Sequence, residues 1–150
     1  MTETQPIENS APQGGLSHAS NDMEPYDIIK EDIKKFNLKL NADNVYASLL
    51  KMTKLPNHRI VRANNTLLLI DNLGNGVADA VVFTADNAPT FVKSLRHLAS
   101  GMKVGGFHTV TLPSSGVAIE KLMKRAGLKF KIKAVTENDQ KGHKITVDLT

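Results

Sequence analysis

From Glu31 to the end of the chain, apolar positions fall into helical and strand spacings that alternate in a definite order. Ile33, Phe36 and Leu40 share one face of a helix expected over Glu31–Leu40, and Tyr26–Lys30 reads as a short strand or as the start of that helix. Asn41 or Asp43 caps a second helix with a Val45, Leu49, Met52 stripe that Pro56 ends. Arg59–Ala63 and Thr66–Asn72 read as a hairpin around Asn64-Asn65, residues that tolerate left-handed backbone. Leu67–Ile70 is apolar at every position, as a strand covered on both faces would be. A turn over Asn72–Gly76 leads to a strand at Val77–Thr84.

The second half continues the pattern. Asp86 or Asn87 caps a helix with Pro89 in its first turn and Phe91, Leu95, Leu98 and Met102 on one face. Gly101, Gly105 and Gly106 are expected to end it. Phe107–Leu112 alternates as a strand, and Pro113–Gly116 leads into a helix with Ile119, Leu122, Met123 and Ala126 inward and Gly127 after its last turn. Phe130, Ile132 and Ala134 alternate with lysines, and Ile145, Val147 and Leu149 with Lys144, Thr146 and Asp148, which predicts a closing hairpin with one buried face.

Met1 to about Glu24 lacks this patterning. It is polar, with few large apolar residues, so residues 1–24 are expected to be a disordered acidic tail and residues 25–150 a single domain. No apolar run approaches the roughly 20 residues that span a bilayer. The start of the chain has no basic-then-apolar leader, and a cytoplasmic setting is the default. The absence of cysteine excludes disulfides and thiolate metal sites, and the five histidines show no metal-ligand spacing. The formal charge of +4 is uneven. Residues 88–134 carry nine Lys and Arg against the single acid Glu120, so this half can attract phosphates, although most such runs only solvate a face.

The element order helix, helix, strand, strand, strand, helix, strand, helix, strand, strand resembles the GNAT-type acyl-CoA N-acyltransferase fold across residues 26–150. Gly116–Leu128 is similar to the fourth helix of that family, with Leu122, Gly127 and Leu128 in place and Met123 where a tyrosine usually stands. A narrower resemblance is to short acetyltransferase-like proteins of short-tailed bacteriophages, some of them internal virion or morphogenesis proteins. It rests on Val82-Phe83-Thr84-Ala85-Asp86 before a basic amphipathic helix and on Ala126-Gly127-Leu128-Lys129-Phe130. The fold implied is a mixed central sheet of six or seven strands with about four helices.

The resemblance also implies where chemistry would sit. Acetyl-CoA would lie along the strand end Val82, Phe83 and Thr84, with its pyrophosphate at the next helix N-terminus near Ala88, Thr90 and Lys93. Candidate catalytic groups are Asp79 as base, His108 as the other titratable group, and Ser115 as proton donor in place of the absent tyrosine. The glycine-rich phosphate motif of the family is replaced by Thr84-Ala85-Asp86-Asn87-Ala88-Pro89-Thr90, which points to a catalytically degenerate protein acting in virion structure or assembly, located in the host cytoplasm or the virion. An active N-acyltransferase and a basic nucleic-acid-binding module are the alternatives. Self-association or partner binding through the sheet edge offered by the last strand is a further expectation.

Overall fold

The computed structural model describes residues 23–114, 117–137 and 140–150. The expected tail up to residue 22 and candidate Ser115 lie outside them.

The chain runs α1 (Pro25–Lys35), α2 (Ala42–Met52), β1 (His58–Ala63), β2 (Thr66–Gly74), β3 (Val77–Thr84), α3 (Ala88–Val104), β4 (Thr109–Ser114), α4 (Val117–Arg125), β5 (Lys129–Glu137) and β6 (Gln140–Asp148). The strands form one six-stranded sheet in the order β1-β2-β3-β4-β6-β5, antiparallel throughout except at β3–β4. The element order is the expected one.

Several boundaries move, each for a local reason. Tyr26–Lys30 is helix, part of α1. That helix stops at Lys35 rather than Leu40, because Asn37 takes a left-handed φ of 52°. Asn37 N–H then bonds Lys34 C=O and Leu38 N–H bonds Ile33 C=O, the paired bonds that close a helix C-terminus. Gly106 and Gly127, at φ 97° and 76°, end α3 and α4 with the same pair of bonds. Gly101, expected among the terminators, lies inside α3. β4 begins at Thr109 and runs through Pro113, which was expected to lead out of the strand. Leu149 N–H bonds His108 C=O, so by alternation Thr109, Thr111 and Pro113 turn their backbone polar groups toward β3. β3 has no partner opposite Pro113, so the missing N–H of the proline costs no ladder bond there.

The sheet is buried on both faces over its first half. Leu68, Ile70, Ala78 and Ala80 pack with α3 and α4 through Phe91, Leu95, Leu98, Met102, Ile119 and Met123. Leu67, Leu69 and Phe83 face the other way, against Ile28, Ile29 and Leu49 of α1 and α2. The closing hairpin is less covered than its alternation implies. Ile145 and Val147 of β6 are buried, but Ile132 of β5 is 38% exposed, because β5 is the sheet edge. The last strand, β6, is therefore interior, and the free edges are β1 and the lysine-bearing β5. Lysine along an edge opposes pairing with another sheet.

Truncating Ile29, which has no solvent exposure, should cost roughly 2–5 kcal/mol, whereas Leu40→Ala, beyond the helix end and 55% exposed, should cost under about 1 kcal/mol. Urea denaturation of both variants checks the contrast; equal losses would place Leu40 on a continued, packed helix.

Candidate functional site

β3 and β4 are paired only at Val77–Thr109, Ala78–Val110 and Asp79–Thr111. Beyond Asp79, β3 stays with β2 as far as Thr84, and β4 stays with β6 as far as Ser114. The two central strands therefore splay. A cleft of about 270 Å³ lies at the opening, lined by Val81, Val82, Phe83, Thr84 and Pro113, by Asp32, Phe36, Leu38, Leu40 and Val45 from α1–α2, and by Phe91 and Ile119 from the starts of α3 and α4.

The backbone of β3 is oriented toward this gap. Ala85 N–H bonds Asn65 C=O across to β2, so by alternation Ala80, Val82 and Thr84 turn their N–H groups away from β2. Thr84 N–H is already engaged by Asp32 Oδ1 at 2.9 Å. Asp32 sits on the apolar face of α1, one turn from Ile28 and Ile29, and is 5% exposed. Burial pushes its carboxyl up to about 6, against the Thr84 N–H bond and the Lys35 charge, which both pull it down. Among the described residues, Asp32 and Thr84 are the only ones with polar side chains that line the cleft.

The turn from β3 into α3 is closed on itself. Asp86, 5% exposed, accepts Asn65 N–H at 3.1 Å on Oδ1 and the Thr66 hydroxyl at 2.7 Å on Oδ2, with Ser94 Oγ 3.0 Å from Oδ2. Asp86 N–H donates to Thr84 Oγ1, which lies 2.7 Å from Thr66 Oγ1, and Lys35 Nζ donates to Asp86 C=O. The first turn of α3 has little left to offer. Thr90 N–H goes to the Asn87 side chain at 3.0 Å, Phe91 N–H goes to Asn87 C=O at 2.8 Å, and Pro89 has no N–H. Ala88 supplies the one remaining amide of that turn.

The candidates read from sequence divide accordingly. Val82, Phe83 and Thr84 line the cleft. Ala88 and Thr90 lie on the self-capped turn, and Lys93 is exposed on the outer face of α3. Asp79 is exposed at the paired end of β3, beside Asp71, and does not line the cleft. His108 precedes β4 at that same paired end. Its ring nitrogens lie 2.8 Å from Asn75 C=O and 2.8 Å from Thr109 Oγ1, and its ring packs so close to Gly76 that a Cβ there would fall 2.5 Å from Cδ2. The structure thus gives His108 a tether between two turns and separates it from the splay. Met123 is 1% exposed in the core. Both tyrosines are on α1–α2, where Tyr26 and Tyr46 stack edge to face and Tyr26 donates to Asp43. Among the described residues no cluster of metal-ligating groups occurs, and no helix is long and apolar enough to cross a membrane.

Sequence reasoning missed Asp32. The signal was present: an acid placed one turn after Ile28-Ile29 falls on the buried face of an amphipathic helix. Of the two residues offered as the cap of α3, Asn87 caps it and Asp86 turns inward.

No protein-family profile and no curated protein sequence matches this chain. Its architecture does match solved structures. The aminoglycoside 6'-acetyltransferase type Ii superposes with a TM-score of 0.58 at 10% identity, over 83% of this chain and 90% of the other. An N-acetyltransferase from Staphylococcus aureus Mu50 gives 0.52 at 11%, over 83% and 94%. A GNAT superfamily phosphinothricin acetyltransferase from Sinorhizobium meliloti, solved in complex with acetyl-CoA, gives 0.53 at 8%, over 81% and 82%. The chain has the fold of the GNAT acetyltransferases.

Two outcomes test the geometry. A carboxyl raised by folding from 3.8 to about 6 adds stability that is full below the lower value and is lost as pH rises through the higher one. Asp32→Asn, which keeps an acceptor for Thr84 N–H, should therefore stabilise the protein by about 1–3 kcal/mol at pH 7 and flatten its stability between about pH 4 and 6. Asp86→Ala should cost roughly 2–4 kcal/mol in chemical denaturation, because it strands the buried Asn65 amide and removes the acceptor shared by the Thr66 and Ser94 hydroxyls.

Proposed function

We propose that this protein is a non-catalytic descendant of the acetyltransferase fold that serves as a structural or assembly component. The resemblance to the acetyltransferase-like proteins of short-tailed phages supplies the setting, a particle assembled in a host cytoplasm.

The observation that carries this reading is the Asp86 knot. An acyl-CoA site needs open amides and room for close approach of a pyrophosphate at a helix N-terminus. Here that turn holds a buried carboxylate, a proline and a side-chain cap that already takes Thr90 N–H. The splayed strands would suit a pantetheine arm along Val82, but the phosphate end does not fit the cofactor. The catalytic requirements point the same way. Among the described residues the cleft offers one titratable group, Asp32, which is committed to Thr84 N–H, and no tyrosine to protonate a leaving thiolate.

A thermal melt with millimolar acetyl-CoA, and separately desulfo-CoA, tests the loss of the cofactor site. No shift is expected. Binding at 100 times Kd would add about 2.7 kcal/mol, a rise of several degrees, and a dose-dependent rise would overturn the reading in favour of an active N-acyltransferase.

A further inference from the structure

We infer that the uncovered half of the sheet is a binding surface for the phosphate backbone of a nucleic acid. Among the described residues, α1 and α2 pack over Leu67, Leu69 and Phe83, and no helix lies over the face of β4, β6 and β5 on that same side of the sheet. The strand register fixes what this face carries. Thr109, Asp148 and Lys129 form one cross-strand row; Thr111, Thr146 and Lys131 the next; Pro113, Lys144 and Lys133 the third. Lys129, Lys131, Lys133 and Thr146 are exposed, and Thr109 is half-buried.

Three lysines on alternate residues of one strand repeat every ~6.8 Å, so their ammonium groups form a line along β5, with Asp148, Thr146 and Lys144 beside it on β6. Lysine and threonine are residue types that contact phosphate and sugar without reading bases. Within these three rows the acid is Asp148, in the Lys129 row, and its Oδ1 also accepts Thr150 N–H and Oγ1–H. Asp79 faces Thr111 from β3 and so continues the Lys131 row, three strands away from β5. The third row, with Lys133 and Lys144, is therefore the most strongly positive.

The same rows argue against a protein occupant. The central patch of a protein interface is apolar or aromatic and poor in lysine. No aromatic residue occurs in these three rows, whose one apolar member is Pro113, and Phe130, Ile145 and Val147 point to the opposite face. The absence of aromatics also predicts the kind of binding: electrostatic, indifferent to sequence and dependent on salt. The surface meets the cleft only at Pro113 and its lysines are on β5, so the inference stands apart from the loss of acetyl-CoA binding.

The test is fluorescence anisotropy of the full chain with a labelled 20-base-pair DNA duplex and its single strand. Binding should weaken steeply with salt. The triple variant Lys129→Gln, Lys131→Gln, Lys133→Gln should weaken duplex binding about tenfold or more at low salt and reduce the slope of log K against log salt by about 2–3. A control that removes equal charge elsewhere, Lys30→Gln, Lys51→Gln, Lys54→Gln, should leave most of the affinity. If the glutamine variant aggregates, the Lys→Glu triple, whose edge stays charged, replaces it and should abolish binding. No binding of either probe, a triple variant that binds like the parent, or an equal loss in the control would each overturn the inference.

Discussion

The arrangement at one end of the sheet depends on a single buried carboxylate. Asp86 collects an amide from the β1–β2 turn, a hydroxyl from β2 and the hydroxyl of Ser94 on α3, so it ties three segments distant in sequence to the point where β3 ends. A buried charge is tolerable only when its oxygens are satisfied, and both are. Arg62 braces the same turn from outside, bonding Asn64 C=O, Asn65 Oδ1 and Met23 C=O. Those donors are thereby committed to the fold.

The splay between β3 and β4 follows from what each strand pairs with on its other side. β3 is held by β2 to its last residue and β4 by β6 to its last residue, so the gap between them opens without leaving either strand unsupported. Pro113 suits the gap because it has no N–H to leave unbonded there. Asp32 closes the far end by taking Thr84 N–H, and its raised carboxyl pKa is the consequence of bringing a charge into an apolar cleft to do so. The cleft of the acetyltransferase fold is thus kept, while the polar groups around it bond to one another.

Much of the architecture was legible because it rests on local periodicity. Leu67–Ile70 read correctly as a strand covered on both faces, and the Asn64-Asn65 hairpin and the left-handed cap at Gly127 were visible as residue types. Leu40 was misread because apolar spacing continued past Asn37, and the left-handed residue outweighed the pattern. β4 was placed two residues early because proline reads as a breaker, and only the absence of a neighbouring strand makes Pro113 harmless. The candidate site was less legible. Asp79 and His108 were chosen because they can titrate, yet both sit where β3 and β4 are zipped together. Asp32 was overlooked because its cleft is built from segments on both sides of β3.

By itself the sequence determined the kinds of elements, their order and which face of each is apolar, because those properties depend on residues within a turn or two of one another. It also determined the lysine alternation of β5, since a period of two fixes which side chains share a face. Tertiary structure alone decided that β6 lies inside the sheet and β5 at its edge, that no described helix covers the lysine face, and that the Asp86 carboxylate turns inward while Asn87 caps α3. These outcomes turn on which distant segments compete for the same hydrogen-bonding groups, and that competition takes place only once the chain has closed around them.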